Sequence, residues 1–189
     1  MNTSGHTSQS SRQGYPRLRK IFIMFFKGAF VILPVVLAVL VARECFSYPL
    51  HAQCTIEWKF GVSCQNVSDK LQAQIKKWNG KEGCASGGER CLYKLTGVTK
   101  EQLTATHTTP NKGYIDDLTF KFTETTGATC SVEGHSTSEV IYAILDYGTN
   151  YCNLENLITG SQLDNVTGYT ESTSDKVCTQ YSSADCDKY

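Results

Sequence analysis

The cysteines constrain this chain more than any other feature. There are nine in 189 residues: Cys45, Cys54, Cys64, Cys84, Cys91, Cys130, Cys152, Cys178 and Cys186. Eight of them follow residue 53, an even set, and in an oxidising compartment an even set predicts disulfide bridges. Zinc would need close pairs such as Cys-x-x-Cys, and the body of the chain has none. It also offers only two histidines beyond residue 53, His107 and His135. The expectation is four bridges among Cys54, Cys64, Cys84, Cys91, Cys130, Cys152, Cys178 and Cys186, with Cys45 outside the set. Connectivity is open, because eight cysteines allow about 105 pairings. Short loops favour Cys84–Cys91 and Cys178–Cys186.

Such bridges require export, and the N-terminal region supplies a route. Residues Ile21 to Ala42 read IFIMFFKGAFVILPVVLAVLVA, with Lys27 as the sole charge. About 20 apolar residues cross a bilayer as a helix. The net charge of zero hides a split. Residues 1–53 carry six basic residues against Glu44, and the remainder carries twelve basic against seventeen acidic. A basic head before the apolar run predicts a signal-anchor with its head in the cytosol. The second methionine, Met24, opens a different reading, a signal peptide cut after Leu50-His51-Ala52. The expected organisation is a disordered cytosolic tail over 1–20, a transmembrane anchor or signal-peptide core over 21–42, a juxtamembrane or cleavage region over 43–53, and an extracellular disulfide-rich domain over 54–189. The product is a type II single-pass membrane protein if started at Met1. It is secreted if started at Met24 or cleaved near Ala52. The acidic body argues against nucleic acid as a partner, since phosphate contacts need a basic patch.

Within the body, Asn66 to Trp78 places Val67, Leu71, Ile75 and Trp78 at helical spacing, with Asn66 or Ser68 as cap and Asn79-Gly80 as stop. Strands are predicted over Leu92–Val98 and Gln102–Thr109. Another is predicted over Asp117–Glu124, where Leu118, Phe120 and Phe122 alternate with polar residues. Thr125-Thr126-Gly127 turns the chain into a strand over Thr129–Ser136, completing a hairpin. The apolar run Val140 to Leu145 predicts a buried strand. Tyr151 to Ile158 predicts a short helix capped by Asn150, and Gly168 to Tyr181 a last strand. The fold class expected is α+β: an antiparallel sheet of four to six strands with two helices on one face, stapled by disulfides.

Few motifs carry chemistry. Gly134-His135-Ser136-Thr137-Ser138 resembles the start of a nucleophile elbow but lacks its second glycine, and an elbow needs a large parallel sheet. Asp146-x-Gly-x-Asn150 could offer calcium two oxygens, yet the twelve-residue EF-hand loop is absent, and a turn leading into a helix cap is the plainer reading. CASGGERC is not followed by the Gly-Lys-Ser/Thr of a phosphate loop. No cofactor or metal site and no catalytic residue is assigned. Asn66-Val67-Ser68 and Asn165-Val166-Thr167 are glycan acceptor sequons, so Asn66 and Asn165 are expected to be glycosylated.

From Ala105 to Ile158 the order of features resembles a family of uncharacterised bacterial and plastid domains. The matching residues are Tyr114-Ile115-Asp116-Asp117, His135-Ser136-Thr137-Ser138 and Asp146-Tyr147-Gly148-Thr149-Asn150. The body as a whole is similar to uncharacterised cysteine-rich secreted or membrane-anchored animal proteins, through TSEVIYAILDYGTNYCNLENLITG and CTQYSSADC. Neither resemblance implies an activity. The function expected is non-enzymatic extracellular recognition of an unknown ligand, with membrane contact through 21–42 if uncleaved. Two alternatives stand beside it. One is a small secreted enzyme using His107 or His135 with Asp116, Asp117 or Asp146. The other is a carrier with an apolar pocket between the Trp78 helix and the strand bearing Phe120 and Phe122.

Overall fold

The computed structural model describes residues 51–189 apart from Ser86 and Ile141, so the 1–20 and 21–42 segments and Cys45 lie outside the described residues. Among the described residues no helix is long and apolar enough to cross a membrane. The chain runs β1 (Gln53–Phe60), α1 (Cys64–Lys77), β2 (Tyr93–Val98), β3 (Gln102–Thr108), β4 (Ile115–Thr125), β5 (Thr129–Ser138), α2 (Thr149–Gly160) and β6 (Thr170–Ser172), with single 3-10 turns at Glu82–Cys84 and Tyr181–Ser183. The six strands form one antiparallel sheet in the order β2-β3-β4-β5-β1-β6. Both helices pack on it, giving the α+β class expected.

Alternation explains which face is covered. Along β1 the residues Cys54, Ile56, Trp58 and Phe60 are buried while Glu57 and Lys59 are exposed. β4 buries Asp116, Leu118, Phe120 and Phe122, and β5 buries Cys130, Val132, Gly134 and Ser136. These residues share one side of the sheet and meet Val67, Leu71 and Ile75 of α1 and Leu154, Leu157 and Ile158 of α2. The Trp58 ring stacks on Phe120 with centroids 6.3 Å apart. Gly134 lies directly beneath that indole, where any Cβ would collide with the ring, so the position tolerates no side chain.

The space between α1 and the strand bearing Phe120 and Phe122 is filled. Phe120 is fully buried, and Trp78 packs onto the same cluster.

The local expectations changed in four places. Helix α1 starts earlier than predicted: Ser63, not Asn66 or Ser68, is the cap, its Oγ accepting from the Asn66 amide at 3.3 Å. The sequence pattern as read above predicts no strand over Gln53–Phe60, where β1 lies. The segment Gly168–Tyr181 contributes a strand of only three residues, at the outer edge of β1. Val140 and Tyr142 to Leu145 do not lie in a buried strand but in a loop, with Tyr142, Ile144 and Leu145 exposed. The reason is topological. β5 is already paired on both sides, by β4 and β1, so the chain leaving it cannot add a strand beside it. It turns instead, with the Ala143 amide bonded to the Val140 carbonyl and the Ala143 carbonyl accepting from the Ala52 amide.

All eight body cysteines pair among themselves as Cys54–Cys178, Cys64–Cys130, Cys84–Cys91 and Cys152–Cys186. Cys84–Cys91 matches expectation. Cys178–Cys186 does not form: Cys178 lies beside β1, forming a bridge pair with Cys54, whereas Cys186 reaches α2. Four disulfides are compatible with an extracellular location.

Candidate functional site: a tyrosine-rimmed cleft

The polar chemistry gathers where β3, β4 and β5 meet the start of α2. Register sets Tyr93, His107, Asp116 and Ser138 side by side across β2 to β5. Helix α2 faces them with three buried asparagines, Asn150, Asn153 and Asn156, three residues apart and hence on one stripe. Asn153 Nδ2 donates to Asp116 Oδ2 at 2.7 Å and reaches Ser136 Oγ at 3.4 Å. Ser136 Oγ donates to Asn150 Oδ1 at 2.6 Å. Tyr93 OH donates to the Asn153 carbonyl at 3.1 Å. Asn156 accepts from Arg90 Nε and donates to the Tyr189 carbonyl, both at 2.9 Å. Such a network holds only if nearly every member is paired, because an unpaired buried polar group costs about 1–3 kcal/mol.

Asp146 organises the helix start. Its Oδ1 accepts from the Gly148 amide at 3.1 Å, and its Oδ2 from the Asn150 amide at 3.0 Å and Asn150 Nδ2 at 2.8 Å. It therefore caps α2, the role expected of Asn150, while Asn150 sits inside the helix and within the buried network. With three donors on its oxygens, Asp146 is engaged as a cap rather than free for a cation. Gly148 has φ of 79°, the left-handed conformation that glycine adopts without strain.

Above this network lies a cleft of about 550 Å³. Its floor includes Glu89, Asp116 and Asn150, and its walls include Tyr114, Tyr142, Leu145, Tyr147 and Tyr189. Tyr142 is 83% exposed, Tyr147 66% and Tyr114 51%. Tyr147 stacks on Tyr189 with centroids 6.5 Å apart.

Two floor carboxyls are electrostatically unusual. Burial pushes Glu89 up to about 7, with the nearby Asp116 charge adding to the effect. Glu89 Oε2 is sealed from solvent and has no hydrogen-bond partner. Asp116 is 3% exposed, and burial raises it above the usual carboxylate range against the lowering effect of the Asn153 bond.

Neither histidine is bonded to a carboxylate. His107 is fully buried, with Nε2 against the Glu89 carbonyl at 2.9 Å. Its Nδ1 has no partner, although the Asn153 carboxamide lies beside the ring. Burial drives His107 down to about 4, so the imidazole is neutral at physiological pH. His135 lies on the opposite face of the sheet, its Nδ1 3.0 Å from Thr55 Oγ1. Asp117 is exposed. Of the residues offered for acid–base work, the fold brings Asp116 and Asp146 to one cleft and sends His135 and Asp117 elsewhere. Ser136, the serine of the elbow-like motif, is buried in a strand and donates to Asn150. Among the described residues no group of three or more metal-ligating side chains converges.

A second polar cluster closes the other side of α2. Glu171 accepts from Trp58 Nε1 at 2.9 Å, Tyr151 OH at 3.1 Å and Tyr169 OH at 3.2 Å. Glu155 meets the Glu171 carboxylate. Burial, reinforced by that negative neighbour, raises Glu155 well above the carboxylate range. Glu155 Oε2 is sealed from solvent and has no hydrogen-bond partner.

Both sequon asparagines, Asn66 and Asn165, are exposed.

Glu89 and Arg90, the asparagine stripe and Tyr189 all escaped the sequence reading. The stripe alone left a trace, Asn at positions 150, 153 and 156 within a helical segment. Glu89 reads as one more charge in a glycine-rich loop until the Cys84–Cys91 bridge folds that loop against β3. Comparison with models of known protein families returned no match, and comparison with curated proteins returned none either.

Proposed function

We propose that this chain is a non-enzymatic extracellular recognition domain that takes its ligand in the tyrosine-rimmed cleft. The observation carrying this reading is the combination of a cleft of about 550 Å³ with three exposed tyrosines at its mouth. Small-ligand sites are concave, mostly apolar and furnished with a few polar groups. Tyrosine brings large contact area at low conformational-entropy cost. Solvent exposure of Tyr142, Leu145 and Tyr147 is otherwise unfavourable, and a ligand in the cleft covering them would recover part of it.

Recognition is favoured over the enzyme alternative because neither His107 nor His135 bonds a carboxylate, and a general base must lie within reach of the proton it moves. The carrier alternative loses support at its original place, since the space beneath Phe120 is packed. Outward-facing display fits both topologies, a type II anchor through 21–42 or a secreted product, and N-terminal sequencing of cell-bound and released protein separates them. An N-glycosidase mass shift on protein made in animal cells tests Asn66 and Asn165.

The functional test uses the full chain made in animal cells, applied to arrays of defined glycans, extracellular proteins and small molecules. A binder whose signal falls at least about tenfold with Tyr142→Ser or Tyr147→Ser supports the cleft. A binder indifferent to both places recognition on another face. Turnover of an array compound by the wild-type chain, lost on changing His107, overturns the non-enzymatic reading.

A further inference from the structure

We propose that the end of the domain where the chain enters rests on a neutral lipid bilayer, with Ile144, Leu145 and Val177 set among the headgroups. This goes beyond the cleft, because Ile144 and Val177 line no part of it and a ligand there leaves them exposed. It rests instead on the anchor expected over 21–42.

The exposed apolar side chains gather at one end of the sheet. There β1 begins, Gln53 pairing with Thr137 near the end of β5, and β4 begins, Asp116 pairing with Ser138. The loop leaving β5 carries Tyr142, Ile144, Leu145 and Tyr147, all exposed, and Tyr114 and Ile115 stand at the start of β4. Val177 lies beside the start of β1, its carbonyl accepting from the Thr55 amide at 2.9 Å. Ile144 and Leu145 share a surface depression with Asp175 and Thr179, which bracket Val177 in sequence. Of the large apolar side chains exposed among the described residues, Val98 alone stands away from this end, at the far end of β2.

The chain enters at the same place. His51 Nε2 lies 2.7 Å from the Ser138 carbonyl, and the Ala52 amide donates to the Ala143 carbonyl at 2.7 Å, so the entering chain is bonded to the apolar loop itself. In the sequence the apolar run ends at Ala42, and the ten residues from there to Ala52 extend at most about 35 Å. A bilayer holding that run is within reach of this end first.

The sugar acceptors lie at the other end. Asn66 is in the first turn of α1, just past the close of β1 at Phe60. Asn165 is two residues before Thr167, whose carbonyl accepts from the Gly61 amide at 2.8 Å. Both asparagines are exposed, and the length of β1, about 25 Å, separates them from the apolar patch. Glycans there point away from the surface on which the patch would sit.

The residue types fit that contact. Isoleucine, leucine and valine suit the acyl boundary, and tyrosine the headgroup level. Tyr142 and Tyr147 therefore mark the edge of the contact, and the cleft they rim stays hydrated. Exposed Lys112 and Lys176 are offset at this end by Glu139 and Asp175, so charge selects no anionic lipid.

Hydroxyl-radical labelling of the full chain, made in animal cells and reconstituted into phosphatidylcholine vesicles, tests the contact. Val98 and Val177 are a matched pair, 44% and 45% exposed. In vesicles Ile144, Leu145 and Val177 should be labelled as little as the buried Leu118 and Phe120, while Val98 stays reactive. Ile144→Asp with Leu145→Asp should return Val177 to the reactivity of Val98, with the fold verified by circular dichroism. Equal labelling of Val98 and Val177 in vesicle-bound wild-type protein overturns the proposal, and so does protection of Val177 that survives both substitutions. Protection that fades as lipid dilutes the protein assigns the patch to a second copy of the chain and overturns it as well. A chain that stays in the aqueous phase overturns it together with the anchor. None of these outcomes touches the cleft, which the array result with Tyr142→Ser judges separately.

Discussion

The sheet's covered face has two ends built on opposite principles. At one end Trp58, Phe60, Phe120, Phe122 and Val132 interlock with Leu71 and Ile75 into a dry core. At the other, β3, β4 and β5 carry His107, Asp116 and Ser136, and α2 answers with Asn150, Asn153 and Asn156. The apolar end is held by burial, which needs no partner geometry. The polar end is held by directional bonds that gain little over water. The cross-links follow the same division. Cys64–Cys130 ties the apolar end, where Cys130 pairs with Phe60. The other three bridges bracket the polar end. Cys54 sits opposite Ser136, Cys152 lies between Asn150 and Asn153, and Cys84–Cys91 closes the loop bearing Glu89 and Arg90. Covalent bonds stand in where burial is weak, and the cleft opens at that end.

The contrast can be broken most severely at Trp58. Trp58→Ala should cost about 3–5 kcal/mol, measured by denaturant unfolding, since it removes the indole over Gly134 and the donor to Glu171. A loss under about 1 kcal/mol would mean the apolar end is not the anchor. Next comes Cys152→Ser combined with Cys186→Ser. Opening a loop of 34 residues should cost about 3–4 kcal/mol on the chain-entropy account. Hydrogen exchange should then accelerate around α2 and Tyr189 before it does in β1 and β5. Uniform acceleration would erase the distinction between the ends.

Asn153→Ala should cost about 1–3 kcal/mol, because it leaves Asp116 and Ser136 short of a donor. Replacing the stripe residue without measurable loss would show that the network is not cohesive.

The pH response sharpens the comparison further. Glu89 is raised from 4.5 to about 7 in the folded protein, so the folded state holds more protons than the unfolded one between those values. Its contribution is present below pH 4.5 and is lost as pH rises through about 7. Glu155 acts in the same direction. His107 acts oppositely: lowered from 6.5 to about 4, it costs stability as pH falls through that window. Melting temperature should therefore decline from pH 6.5 to pH 8, and Glu89→Gln with Glu155→Gln should flatten the decline. A wild-type profile rising over that range would contradict the assignment. The smallest effect belongs to the rim. Tyr142→Ser should change stability by less than about 0.5 kcal/mol, as its ring is largely exposed.

Local pattern made part of this legible. The β4–β5 hairpin followed from alternation over Leu118, Phe120 and Phe122 with a Gly127 turn, and α1 from Val67, Leu71 and Ile75 at helical spacing. β1 carries an equally clear alternation in Cys54, Ile56, Trp58 and Phe60, but it begins at the proposed cleavage site, where a processing signal and a strand overlap. Asp146-Tyr147-Gly148-Thr149-Asn150 read correctly as a turn into a helix, because Asx capping is a local bond.

What the chain alone determined were features set within a few residues of each other: periodicity, turns, and an even set of cysteines committed to bridges. Which cysteine meets which was decided by the fold, since Cys54 and Cys178 lie 124 residues apart and become neighbours only when the tail pairs with β1. The exposure of Tyr142, Ile144 and Leu145 was likewise tertiary. Their apolar run would fill a strand in any sheet with a free edge beside it, and β5 has none. The cleft is the furthest from the sequence. Glu89 comes from a stapled loop, Asp116 from β4, Tyr142 and Tyr147 from the loop after β5 and Tyr189 from the tail, and no local rule links segments that chain folding alone brings within reach.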